Sequence, residues 1–449
     1  MWRCPIRLHD VIAVMGIVLA FMTVADWKYS HPQQLTWLRL DCNSHLGAEY
    51  NDIARAIRSG RGFSDPFQVE SGPTAWMAPV LPYVLAGLYW VSGDNRETVV
   101  ELVLLIKGLV LVLTGLLVVR EGRRIGRVWL AYLVLIAGFA THFHQMFQRT
   151  HDVWLVLLMV DLTWLGIVRL WAPPNRISAA VVWGWFGGLT ALCSPIAGAT
   201  WAVMTALRWR PSGNGRWPLS GQWLRVCKPL AIAAFCSIAV ISPWILRNRL
   251  VLGAWIPIKS NCAYEIWQAL CLDDDGVVDV RTGVSHPWRS AGEQRAEYVA
   301  HGETQFIATR RQAAWKIIRD NPERLLDQCA NRALATLVIY QPSEWEKLQW
   351  PWVLWLKYAA FALPYVCLLT VMCLGKAPLD KEPLAAMWIY GVYLLPYILI
   401  SYYDRYAMPL LGIKMLLVVY GFDAVICTLV KKRGLRAWLD QRKYRKTAS

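Results

Sequence analysis

The sequence predicts an all-α integral membrane protein of about ten transmembrane helices, with interfacial helices in its first outer loop and an outer loop of about 100 residues before the eighth span. Three observations predict it. Apolar residues make up 56% of the chain and recur in runs near 20 residues, long enough to cross a hydrocarbon core of about 30 Å. The 26 Trp and 18 Tyr suit a protein with two membrane–water interfaces, where these rings collect. The net charge of +16 is divided among short Lys/Arg clusters between the apolar runs. That distribution reads as a topology signal and gives no reason to expect a nucleic-acid partner.

The apolar runs fall at about 10–27, 99–119, 128–146, 152–171, 178–193, 196–209, 229–246, 351–374, 383–402 and 408–430. The first lacks a small-residue cleavage site and reads as a retained anchor. An eleventh stretch, 76–93, contains Pro79 and Pro82. If it does not cross, every basic cluster lies on one side: Arg3/Arg7, Arg120 to Arg127, Arg169/Arg176, Arg208 to Lys228, Lys376/Lys381 and Lys431 to Lys446. The positive-inside rule therefore makes 76–93 an interfacial helix on the outer face. The stretch 178–209 is interrupted by Ser194-Pro195 and reads as a hairpin of two short helices. Both termini are then cytoplasmic, as expected of a multi-pass protein of a bacterial inner membrane.

Four regions follow: a transmembrane module over 1–246 that includes an outer loop at 28–98, an extracytoplasmic region over 247–350, transmembrane helices over 351–430, and a basic tail over 431–449. The inner connections are short, and no GxxxxGK[ST] or strand-linked GxGxxG occurs, which argues against chemistry driven by a cytosolic nucleotide. The eleven Cys include no CxxC pair; Cys262 and Cys271 lie in the second outer loop, where a disulfide is conceivable.

Chemistry is therefore sought in the outer segments. Ile53, Ala54 and Ile57 recur at helical spacing, Gly60 and Gly62 end that helix, and Glu49 lies on the Ile53 stripe one turn earlier. A carboxylate on the buried stripe of a surface helix is a candidate general base, or else a first-turn acid favoured by the helix dipole. Asp41, before Cys42-Asn43-Ser44-His45, is a second candidate, whereas Asp52 reads as a solvated position. His142, His144, His151 and Asp152 gather at an outer turn, as a polar wall of the site or as ligands of a divalent metal. Arg247, Lys259 and Arg405, the last beside Tyr406, stand where the chain leaves the membrane. Their charges suit phosphate oxygens or lipid headgroups. The run Asp273-Asp274-Asp275-Gly276 lacks the alternation of a calcium loop and reads as a solvated turn.

The order of these motifs resembles the C-type (GT-C) superfamily of membrane glycosyltransferases, which includes protein O-mannosyltransferases and lipid A aminoarabinose transferases. A bacterial subgroup is more similar still. The resemblance is carried by Glu49, Ile53-Ala54, Gly60-Arg61-Gly62-Phe63-Ser64-Asp65-Pro66-Phe67, Gly72-Pro73-Thr74-Ala75-Trp76 and Pro79. It continues in Pro243-Trp244, Arg247-Asn248, Ile256-Pro257-Ile258-Lys259-Ser260-Asn261, His301-Gly302-Glu303 and the late Arg405-Tyr406 with Pro409. One position departs: the superfamily's acid, usually Asp about four residues before the loop Tyr, is replaced by Leu46, leaving Glu49 or Asp41.

The resemblance implies transfer of a sugar from a polyprenyl-phosphate donor to an acceptor hydroxyl on a glycan, lipid or protein at the extracytoplasmic face. Glu49 or Asp41 would serve as base, and Arg405, Arg247, Lys259 and Tyr406 would hold the donor phosphate. No cofactor is required, although a divalent metal is compatible. A ligase or polymerase of lipid-linked glycans would share these features. A lipid or solute transporter would instead use ionisable groups within spans, for which Glu101, Lys107, Asp161, Lys414 and Asp423 are candidates.

Overall fold

A computed structural model describes residues 6–30, 46–143, 146–147, 152–170, 174, 176–209, 220–272, 274–278, 286–288, 293–340, 351–374 and 379–447. Among them the chain is helical, apart from two isolated bridges, Ser64 with Pro73 and Val277 with Tyr402. Each of the ten apolar runs contains a helix. Six helical stretches are long and apolar enough to cross a membrane: Leu8–Ala25, Arg96–Arg124, Cys227–Leu252, Pro351–Leu374, Lys381–Leu399 and Asp404–Lys431. The other four runs form Val128–Thr141, Val153–Arg169, Ile177–Cys193 and Pro195–Arg208, of 14 to 17 residues. At 1.5 Å per residue these reach about 21–26 Å, short of a full hydrocarbon core.

The helices used below are α1 (Leu8–Ser30), α2 (Ala48–Arg58), α3 (Val80–Val91), α4 (Arg96–Arg124), α5 (Val128–Thr141), α6 (Val153–Arg169), α7 (Ile177–Cys193), α8 (Pro195–Arg208) and α9 (Ser220–Leu252). They continue with α10 (Cys262–Cys271), α11 (Glu293–Asp320), α12 (Pro322–Leu337), α13 (Pro351–Leu374), α14 (Lys381–Leu399), a 3-10 turn at Asp404–Leu410, and α15 (Leu411–Thr447).

One end of the bundle is tied by a layer of ions. Arg123 donates to Asp10 at 2.5 Å, Arg124 to Glu121 at 2.6 Å and Arg127 to Asp423 at 2.9 Å. The Tyr420 hydroxyl reaches the same Glu121 at 3.2 Å, and the Lys381 ammonium reaches the Val168 carbonyl at 3.0 Å. The layer thus joins the start of α1, the end of α4, the start of α14, the end of α6 and the middle of α15. Several of the basic clusters that orient the chain lie in it.

α1 and α4 are antiparallel neighbours: a Cβ on Gly115 would touch Val14, and one on Gly108 would touch Met22. α1 therefore leaves the ion layer and α4 returns to it. The intervening α3, 12 residues long, stays at the opposite end. That is the position the charge distribution assigns to 76–93.

The interruption at Ser194-Pro195 makes a helical hairpin. Ser194 is extended, its hydroxyl accepts from the Ala197 amide at 3.4 Å, and Pro195 opens α8, where its missing N–H is harmless. The Trp183 indole near the start of α7 donates to the Thr205 hydroxyl near the end of α8 at 3.0 Å, so the two helices lie side by side.

Two expectations are corrected. Cys262 and Cys271 are free thiols. They cap opposite ends of α10, about 13 Å apart along its axis, beyond the span of a disulfide. Gly276 and Val277 are buried rather than solvated, because the turn docks on Tyr402 through Val277 and on Arg332, whose guanidinium donates to the Gly276 carbonyl at 3.4 Å. Asp274 and Asp275 at the tip are exposed, as the sequence suggests.

Candidate active site

The end of the bundle away from the ion layer is organised around α2. Tyr50, Ile53, Ala54 and Ala56 are buried, and Gly60 and Gly62 end the helix in left-handed conformations, φ +81° and +74°. Two hydroxyls fix its rotation and depth. Tyr50 donates to Asp152 Oδ2 at 2.9 Å, and Tyr89 of α3 donates to Asn51 Oδ1 at 2.7 Å.

Held this way, α2 carries Glu49 with its side chain mostly buried, 13% exposed. Burial pushes its carboxyl above the ordinary carboxylate range; Arg405 and Lys259 act in the other direction and Asp152 adds to the rise. Arg405, Lys259 and Asp152 thus each act on Glu49, although they come from the 3-10 turn, the segment after α9 and the residue before α6. Burial also lifts Asp52, one turn along α2, to about 7, while a hydrogen bond from the Trp288 indole at 3.2 Å opposes the rise. Asp52 is thus a half-buried, bonded group and not a solvated one.

Arg405 enters on the 3-10 turn. Its amide donates to Asp404 Oδ1 at 2.6 Å, and its guanidinium lies 5.3 Å and 5.6 Å from the ring centres of Tyr403 and Tyr406. The Tyr406 hydroxyl donates to Glu265 Oε2 at 3.3 Å, and its ring stacks on Tyr397 at 4.9 Å. Tyr406 thus braces the turn against α10 and α14 while keeping the guanidinium between rings.

Arg247 is placed differently. Its guanidinium donates to the Thr74 carbonyl at 2.6 Å, the Phe63 carbonyl at 2.7 Å and Asn248 Oδ1 at 3.1 Å, and it packs against the rings of Trp244 and Phe63. Two of its bonds go to backbone carbonyls and one to a side-chain amide, so in this structure it frames the loop at residues 63–74.

The same clamp absorbs most of the remaining motifs. The Trp244 indole donates to the Ile258 carbonyl at 2.9 Å, Asn248 Nδ2 to the Ile256 carbonyl at 2.9 Å, and the Ser260 amide to the Ala75 carbonyl at 2.9 Å. Glu303 accepts from the Ala75 amide at 2.8 Å, from the Tyr298 hydroxyl at 2.8 Å and from the Thr74 hydroxyl. It can do so because α11 breaks at Gly302, φ +72°. Segments around residues 63–76, 244–260 and 303 thereby close on one another, and this frame fixes the backbone on both sides of Lys259 through Ile258 and Ser260.

The frame also delivers a residue that the sequence did not single out. His286 Nε2 lies 3.7 Å from Glu49 Oε1. No local pattern marks it: it stands alone in a long loop and meets α2 only through tertiary packing. Of the other expected site residues, Asp152 is tied to α2 beside Glu49 through its hydrogen bond from Tyr50. His142 instead accompanies the end of its own helix, with Nδ1 3.0 Å from the Gly138 carbonyl and 3.0 Å from the Thr141 hydroxyl. Asp41, His144 and His151 lie outside the described residues. Among the described residues, no group of three or more His, Cys, Asp or Glu side chains is gathered as a metal site.

No protein-family model matches the chain. No curated protein matches it either. Among solved structures, the chain is similar to the crystal structure of ArnT from Cupriavidus metallidurans bound to undecaprenyl phosphate, with 14% identity and a TM-score of 0.35 over 90% of this chain and 77% of that one. A likeness this loose leaves the functional case to the geometry of the site.

Proposed function

We propose that this protein is a membrane glycosyltransferase that moves a sugar from a polyprenyl-phosphate donor to an acceptor hydroxyl on the extracytoplasmic face of a bacterial cytoplasmic membrane, with both termini inside. What supports the reading is a mostly buried carboxylate, Glu49, at the end of the bundle away from the ion layer, with Arg405, held beside Tyr403 and Tyr406 on the 3-10 turn, and Lys259 both acting on its charge. An acid lifted by burial and set opposite fixed cations suits a reaction that needs a base and develops charge on a phosphate.

In this reading the acceptor oxygen attacks the anomeric carbon, and the bond from that carbon to the phosphate oxygen breaks. The bonding pair leaves with the lipid phosphate, whose charge Arg405 and Lys259 balance. The acceptor proton passes to Glu49 as the new bond forms. α3 borders the groove that admits the lipid tail. Arg247 and Glu303 act at one remove, by holding the frame. A divalent cation beside Glu49 would meet two fixed positive charges, so the reading expects transfer to persist in chelator.

The test is transfer from a labelled polyprenyl-phosphate monosaccharide by purified protein in lipid. Glu49→Gln keeps the shape of the side chain and removes the base, so the rate falls by about 10²–10⁴-fold. Asp41→Asn is measured beside it. Full activity in Glu49→Gln removes the base assignment. Turnover of lipid-linked oligosaccharides alone moves the reading to a glycan ligase or polymerase.

A further inference from the structure

His286 is an ionisable neighbour of Glu49 that no role above uses, and its ring is held on several sides. The Trp288 backbone N–H donates to His286 Nδ1 at 3.2 Å. A nitrogen that accepts from an amide carries no proton, so the neutral ring bears its proton on Nε2, the atom that faces Glu49 Oε1 at 3.7 Å. Three rings box the imidazole edge to face: Tyr264 at 5.5 Å and 90°, Trp76 at 5.9 Å and 78°, and Phe67 at 6.0 Å and 79°. The short segment carrying it is pinned on both sides. The Trp288 indole donates to Asp52 Oδ2, and Arg295 donates to the Pro287 carbonyl at 2.8 Å and to the Trp288 carbonyl.

We propose that His286 is a positioning residue for the base: a neutral imidazole that aims its Nε2–H at Glu49, holding one carboxylate oxygen and leaving the other to the acceptor. The inference rests on Glu49 being the base. The arrangement has a clear physical purpose. Burial alone favours the protonated acid, which cannot abstract a proton. At 3.7 Å the N–H is short of a hydrogen bond, but a small approach on ionisation of Glu49 would close it, and a neutral donor to the ionised form works against burial without adding a full positive charge. The groups acting on Glu49 are then His286 and Lys259 from the second outer region, Arg405 from the 3-10 turn, Asp152 at the start of α6, Asp52 and Tyr50 on α2, and Tyr264 on α10.

The discriminating variant is His286→Phe, which keeps a ring for the aromatic box and removes the donor; His286→Gln returns an N–H donor. The readout is the ionisation midpoint of Glu49 in purified protein, followed by the infrared carboxyl stretch and assigned by its loss in Glu49→Gln. Removing a donor from the ionised form favours the protonated form, so the midpoint rises in His286→Phe by about one pH unit and returns toward wild type in His286→Gln. The acid limb of the transfer rate moves the same way, and the rate at neutral pH falls about tenfold with the donor KM unchanged. An unmoved midpoint in a folded His286→Phe overturns the proposal. So does an equal rise in both variants. The infrared midpoint needs no substrate, so it stands whatever becomes of the transferase reading, which Glu49→Gln tests separately.

Discussion

Replacing Arg247 by Met separates a framing residue from a phosphate ligand. In the structure this guanidinium serves the carbonyls of Thr74 and Phe63 while packing on Trp244 and Phe63. Met fills similar volume but leaves both carbonyls without a donor in a buried setting, at about 1–3 kcal/mol each. Loss of the cation–π contacts adds about 0.5–2 kcal/mol. Neighbouring backbone relaxes in part, so a net loss of about 3–6 kcal/mol is expected, large on the scale of single substitutions. Arg247→Lys offers one charge that cannot span both carbonyls, so it falls between wild type and Met. Thermal unfolding in detergent reads the effect directly, and proteolysis of the loop around residues 63–76 should accelerate in parallel. Wild-type thermal stability in Arg247→Met together with a raised donor KM would refute the framing role and return Arg247 to the phosphate.

Three further outcomes follow from the same geometry. Gly302→Ala forces a side chain into φ +72°; its Cβ would meet nothing within 4 Å, so the loss is conformational, about 1–3 kcal/mol, and a wild-type melting temperature would show that the break is not needed for Glu303 to reach Thr74 and Ala75. Asp52 holds its proton up to about 7 when folded and releases it near 3.8 when unfolded, so its contribution is full below about pH 4 and is lost as pH rises through 7. Asp52→Asn should therefore melt with wild type near pH 4 and above it at pH 8, by at most about 4 kcal/mol, and a lower melting temperature at pH 8 would contradict the burial argument. Single cysteines at Ser71 and Arg124 in a cysteine-free background should react from opposite sides of the membrane; labelling from one side would mean that α3 crosses.

Much of the fold was legible because bilayer length and charge placement are local properties of the chain. The long apolar helices, the interruption at Ser194-Pro195 and the short helix within 76–93 needed only apolar length, proline and the positions of Lys and Arg. The stop at Gly60 and Gly62 was equally local. The candidate site was legible in part: Glu49 stood out because a carboxylate on an apolar stripe is expensive, and its burial agrees, while Arg405 stood out for the aromatic residues that do flank it. Arg247 shows the limit. Residue type and membrane depth are the same for a phosphate ligand and for a backbone clamp, and only the position of two carbonyls, 173 and 184 residues away, distinguishes them. Asp52 looked solvated because helical spacing cannot foresee Trp288 arriving from a distant loop. His286 was invisible for the same reason, since its role is made by Trp288, three aromatic rings and Glu49 together.

The most direct test of the account is a structure of the protein with polyprenyl phosphate. The account predicts the phosphate between Arg405 and Lys259, facing Glu49, with Arg247 still bonded to Thr74 and Phe63. A phosphate seated away from that pocket, or held by an Arg247 released from those carbonyls, would contradict it.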